Sequence, residues 1–115
     1  MSDIAQLVPQ GRLDALGARR LWIELEPLTQ REQVRVLVDM SETRYTSSDG
    51  LRVLIRASKA VKQNGGKLVL CCLSPRLTEI VTMAGLEHVL EIHPTHDAAE
   101  SALDAFSSGA LTSPK

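Results

Sequence analysis

The chain has 115 residues, enough for one domain built on one core. Hydrophobic residues make up 43% and charged residues 23%, the balance of an ordinary globular domain. Thirteen basic against fourteen acidic side chains leave a formal net charge of −1, which excludes the strongly basic footprint of a dedicated nucleic-acid binder.

No apolar run approaches the roughly 20 residues that a membrane span needs, so no direct membrane insertion is expected. Met1-Ser2-Asp3-Ile4 does not combine a charged region with an apolar one, so the expected location is cytoplasmic. Trp22, Tyr45 and Phe106 are the only aromatic residues, too few for a base-stacking surface.

In chain order, residues 1–12 carry a short strand signal in Ile4, Leu7 and Val8. Pro9 interrupts it, which suits an edge strand. Gly11 turns the chain into Leu13-Asp14, and Asp14 is a candidate N-cap. Ala18, Leu21, Trp22 and Leu25 then fall on one helical face, and Pro27 is expected to end that helix. Val34 to Val38 is short, apolar and β-branched, and reads as a central strand buried on both faces. Asp39 stands at its carboxyl end. Ser41 to Asp49 is polar and hydroxyl-rich and reads as a loop.

A second helix begins near Asp49-Gly50. Leu51, Leu54, Ile55 and Ser58 form its inner stripe, with Arg52, Arg56, Lys59 and Lys62 outside. Asn64-Gly65-Gly66 stops it. Lys67 to Leu73 is the next buried strand. Ser74 caps a helix with proline at its first position, whose stripe is Leu77, Ile80, Val81 and Ala84. Val89 to Ile92 reads as a last strand. Asp97 and Glu100 have capping-box spacing ahead of Ala99, Ala102, Leu103 and Phe106. Cys71 and Cys72 are neighbours in a strand, where side chains alternate faces, so two reduced, small apolar side chains are expected rather than a local disulfide.

Strands alternating with helices give an α/β fold: a single domain with a mostly parallel central sheet of four to five strands and about four helices. Residues 1–106 make the domain, and residues 107–115, rich in Ser, Gly and Pro, a flexible tail.

Several chemistries are absent. There is no dinucleotide fingerprint and no nucleophile elbow. Gly65-Gly66-Lys67 lacks the earlier glycine of a phosphate loop, because position 61 is Val61. His88, His93 and His96 cluster, but Pro94 lies among them and no third ligand accompanies His93 and His96, so they read as surface histidines around a turn. Asp39 stands where a receiver domain carries its phosphoaccepting aspartate. The acidic pair that would hold Mg²⁺ is missing, since that region offers only Asp14, and Asp39 reads as a turn residue. No metal, cofactor or catalytic residue is expected, and the chain is not expected to be an enzyme.

One constellation remains: Tyr45-Thr46-Ser47-Ser48-Asp49-Gly50-Leu51, joining a buried strand to a helix. This stretch resembles the signature of STAS domains, specifically the bacterial anti-sigma factor antagonists, with Ser48 at the phosphoacceptor position when Gly50-Leu51 is aligned. Gly11-Arg12-Leu13-Asp14, Val36 to Met40, Gly65 to Pro75 and Met83-Ala84-Gly85-Leu86 resemble further family segments in order, covering about residues 7 to 104. Two departures stand out. Ser47 occupies the place of the family's usual aspartate, and Asp49 that of its second Ser or Thr. The short N-terminal part leaves room for a first hairpin reduced to one strand or lost.

The resemblance implies partner switching. The unmodified antagonist binds an anti-sigma factor serine kinase, phosphorylation of Ser48 releases it, and a serine phosphatase resets the cycle. Asp14, Ser47, Ser48, Asp49, Gly50 and Arg52 are the expected partner-binding residues. Ser47 on its own reads as a helix cap, and Asp49 as a residue turned inward to cap while Ser48 stays outside. A monomer or weak dimer is expected. The alternative is a STAS accessory subunit of a transport or signalling complex without a serine switch.

Overall fold

The β-branched and leucine-rich runs around Val36–Val38 and Leu68–Leu70 are buried on both sides, as strands covered by helices on each face must be. The computed structural model describes residues 3–106. Its elements are β1 (Ile4–Leu7), β2 (Gly11–Leu13), α1 (Ala15–Thr29), β3 (Arg35–Asp39), β4 (Thr43–Thr46), α2 (Ser48–Gln63), β5 (Lys67–Cys71), α3 (Pro75–Met83), β6 (Glu91–His93) and α4 (His96–Ala105). A four-stranded sheet has the order β1-β3-β5-β6, with every ladder parallel. A second, two-stranded parallel sheet pairs β2 with β4.

The two-residue period of the strands sorts the core. Val36, Val38, Leu68 and Leu70 pack with Leu21 and Leu25 of α1, Leu54, Ala57 and Val61 of α2, and Leu77 of α3. Leu37, Val69 and Cys71 point the other way, against Ala99 and Leu103 of α4. Each fully buried leucine or valine contributes about 1.5–3 kcal/mol relative to exposure. Arg56 of α2 adds a cation–π contact to Trp22 of α1, 4.2 Å from the ring centroid. At the far edge, Lys67 and His93 hold Glu91 at 3.0 and 2.8 Å. Burial pushes the Glu91 carboxyl up, but the hydrogen bonds from His93 and Lys67 outweigh it and leave the group below its ordinary value.

The α/β class, the parallel sheet and the four helices agree with the sequence reading; several boundaries do not. The N-terminal signal resolves into two strands split at Pro9, which pair not with each other but with β3 and β4. Thr43–Thr46, expected as loop, is a strand: its threonines and tyrosine favour extended backbone, and β2 supplies a partner. Helix α1 runs through Pro27 to Thr29. Proline there removes only a bond to the carbonyl of Ile23, an exposed residue, two residues before the helix ends.

Strand β5 stops at Cys71 because Cys72 turns into the left-handed region at φ 64°. The last strand is Glu91–His93 rather than Val89–Ile92. Thr95, not Asp97, caps α4, accepting from the Ala98 N–H at 3.0 Å. In α2 the fully buried side is Gly50, Leu51, Leu54, Ala57 and Val61, while Ile55 packs partly buried at the edge of the core and Ser58 is half-buried. The expected tail, 107–115, lies outside the described residues.

Candidate functional site

Two helices begin side by side at the carboxyl ends of β2 and β4. Asp14 caps α1: its side-chain Oδ1 accepts from the Gly17 N–H at 2.9 Å. Ser47 caps α2, its Oγ accepting from the Gly50 N–H at 3.5 Å. Ser47 also donates twice to the carbonyl of Leu13, from its backbone N–H at 2.9 Å and from its hydroxyl at 2.8 Å. Leu13 immediately precedes Asp14, so the Ser47–Ser48 segment and Asp14 share one surface.

This division of labour leaves Ser48 outside. It is exposed at the first position of α2, and within the described residues its hydroxyl makes no hydrogen bond. The expectation that Asp49 turns inward to cap is corrected, because Ser47 holds that role. Asp49 instead reaches Arg52 one turn on, at 2.9 Å, with the Arg52 side chain mostly and the Asp49 side chain half in solvent. Such an exposed pair contributes about 0–1 kcal/mol.

Gly50, expected on the partner face, is buried beneath it. A Cβ there would overlap Thr46 Oγ1 and lie 2.9 Å from Leu13 Cβ. Glycine lets α2 press directly onto β2, which holds the loop in place.

The family model for the STAS domain matches residues 2–99. The chain belongs to the STAS domain family. A protein of Bordetella bronchiseptica named as a candidate anti-sigma factor antagonist is 35% identical over 97 residues, 84% of this chain and 81% of that protein. Among solved structures, a Thermotoga maritima protein named as a candidate anti-sigma factor antagonist superposes with a TM-score of 0.81 at 17% identity, covering 90% of each chain. A sulfate transporter family protein from Wolinella succinogenes gives 0.75 at 16%, covering 90% of this chain and 88% of that one. At these identities the two structural likenesses bear on the fold.

The STAS surface around Ser48 has a side that the sequence reading missed. Arg12 and Tyr45 are cross-strand partners of β2 and β4, and the Arg12 guanidinium lies 4.7 Å from the Tyr45 ring centroid. Arg76, from the first turn of α3, approaches the same ring at 5.9 Å. Alternation of Thr43 and Tyr45 was the available signal, hidden because the segment read as loop.

A groove of about 510 Å³, lined by Arg12 and Asp14 among others, runs between the β1–β2 connection and α1. Its walls include Pro9 and Arg20, with Leu16 exposed at its rim. The STAS domain thus brings a carboxylate, the Arg12 and Arg20 side chains and an exposed leucine to one groove. Among the described residues no helix is long and apolar enough to cross a membrane.

Asp39 holds the turn after β3, its Oδ1 accepting from the Ser41 N–H at 2.9 Å. Beside it, burial pushes the Cys71 thiol up to about 12, with the neighbouring Cys72 and the negative charge of Asp39 adding to the effect. His93 and His96 are part-exposed, beside Glu91 and Glu100 respectively.

Proposed function

We propose that this STAS domain is an anti-sigma factor antagonist that acts as a binding module, with no catalysis and no cofactor of its own. Unmodified, it binds a kinase-type anti-sigma factor in the cytoplasm through the edge formed by Asp14, Ser47, Ser48, Asp49 and Arg52. The partner transfers the γ-phosphoryl group of ATP to Ser48. The Ser48 oxygen bonds to phosphorus, ADP leaves, and the hydroxyl proton passes to the kinase. A serine phosphatase hydrolyses the ester and restores the binding form.

The observation that carries this reading is the exposed Ser48 hydroxyl at a helix start, left free because Ser47 does the capping. A phosphate there adds a charge of about −1.5 to −2. The α2 dipole favours an anion at that end by about 0.3–1 kcal/mol, so the domain stays folded. The cost falls on the complex. A dianion buried at an interface without a matching donor weakens binding by about 2–5 kcal/mol.

The alternative, an accessory subunit of a transport assembly without a serine switch, draws on the shared fold of the transporter-family protein. The 35% identity to a protein named as an antagonist favours the first reading. Affinity capture of the full chain separates the two: an anti-sigma kinase supports the antagonist, and a membrane transporter supports the alternative.

A further inference from the structure

Strands β3 and β5 end together, with Asp39 and Cys71 in register. Leu37 and Asp39 are two apart on β3, as are Val69 and Cys71 on β5, so both terminal residues belong to the sheet face covered by α4. A further strand residue would point to the opposite face. Cys72 does not, because its φ of 64° folds it back, and its Sγ lies 3.4 Å from Cys71 Sγ. The two sulfurs and an Asp39 carboxylate oxygen all lie within 4.8 Å of one another. Cys71 is buried, while Cys72 and Asp39 are partly exposed, which gives the cluster an open side. The switch surface uses none of the three.

We propose that Asp39, Cys71 and Cys72 form a binding site for one thiophilic divalent cation of the zinc–cadmium class. Two thiolates select soft and borderline ions over Mg²⁺ and Ca²⁺. A tetrahedral d¹⁰ ion accepts thiolate sulfur at about 2.3 Å and carboxylate oxygen at about 2.0–2.2 Å, so its ligand atoms stand about 3.5–3.8 Å apart. The sulfurs are already near that spacing, and the carboxylate has only to close by about 1 Å. The open side supplies the fourth position, for water. Binding displaces one proton from each thiol to solvent. The ion ties the ends of β3 and β5 together at the root of the segment leading to β4 and Ser48, where the Met40 N–H donates to the Cys71 carbonyl at 2.9 Å.

The test is a titration of the reduced, metal-free full chain with Cd²⁺, read by the ultraviolet sulfur-to-cadmium charge-transfer band. One Cd²⁺ per chain is expected, with Zn²⁺ competing for the site and Mg²⁺ not. Cys72→Ser removes most of the band. Asp39→Asn, which keeps the acceptor for the Ser41 N–H, weakens Cd²⁺ binding by about tenfold or more. Circular dichroism checks that both variants remain folded. A band that needs two chains per ion overturns the proposal. So does an affinity unchanged by Asp39→Asn, or no band at equimolar Cd²⁺. The outcome is independent of whether Ser48 is phosphorylated.

Discussion

Ser47 binds the carbonyl of Leu13 through both its backbone N–H and its hydroxyl, at 2.9 and 2.8 Å. This double contact joins the starts of α1 and α2 and fixes Ser48 beside Asp14. It also makes the two adjacent serines chemically unequal, one bonded to the fold and one exposed to solvent.

Ser47→Ala therefore loses a helix cap and one of the two ties to Leu13. Urea unfolding should show a loss of about 1–2 kcal/mol. Ser48→Ala, which removes an exposed hydroxyl with no hydrogen bond among the described residues, should stay within about 0.5 kcal/mol of the parent. Equal costs for the two would mean that the capping assignment is wrong.

Gly50→Ala forces a methyl group against Thr46 and Leu13, where α2 meets β2. Overpacking of this kind costs about 1–3 kcal/mol, and the loop should shift with it. Partner binding should fall even though Gly50 is itself buried. A variant with parent stability and parent affinity would contradict the close approach.

Asp49→Ser removes an exposed ion pair with Arg52, so stability should change by less than about 1 kcal/mol. If Asp49 were a built-in phosphate mimic, its removal would strengthen partner binding. The pairing with Arg52 partly neutralises that charge, and isothermal titration should show affinity close to the parent's.

The Cys71 thiol keeps its proton up to about 12 in the folded chain, against 9.0 for an unperturbed thiol. Between these values the unfolded state holds fewer protons than the folded one. Stability should accordingly fall as pH rises above 9.0. Cys71→Ala should flatten that part of the profile of unfolding midpoints. Native alkylation should be slow at Cys71 and faster at the part-exposed Cys72.

The parallel sheet and helices were legible because Val34–Val38 and Lys67–Cys71 are apolar runs set between clear helical stripes. Residues 43–46 were not, because an edge strand with one partner carries no apolar run. Pro27 misled because a proline's effect depends on whether the carbonyl it strands is exposed, which sequence does not state. For the candidate site, the motif pointed to Ser48 and Asp14, and only the tertiary contact to Leu13 separates Ser47's capping role from Asp49's position. The proximity of the Cys71 and Cys72 sulfurs was illegible for a similar reason. Alternation applies only while the strand continues, and one left-handed residue ends it.

Phosphosite mapping decides whether Ser48 is the switch residue. The full chain is incubated with its cognate anti-sigma kinase and ATP, then mapped by tandem mass spectrometry, with Ser48→Ala alongside. Stoichiometric phosphate on Ser48, none on the Ser48→Ala variant, and weaker kinase binding by the phosphorylated form are expected. Phosphate on Ser47, or none on either serine, would contradict it.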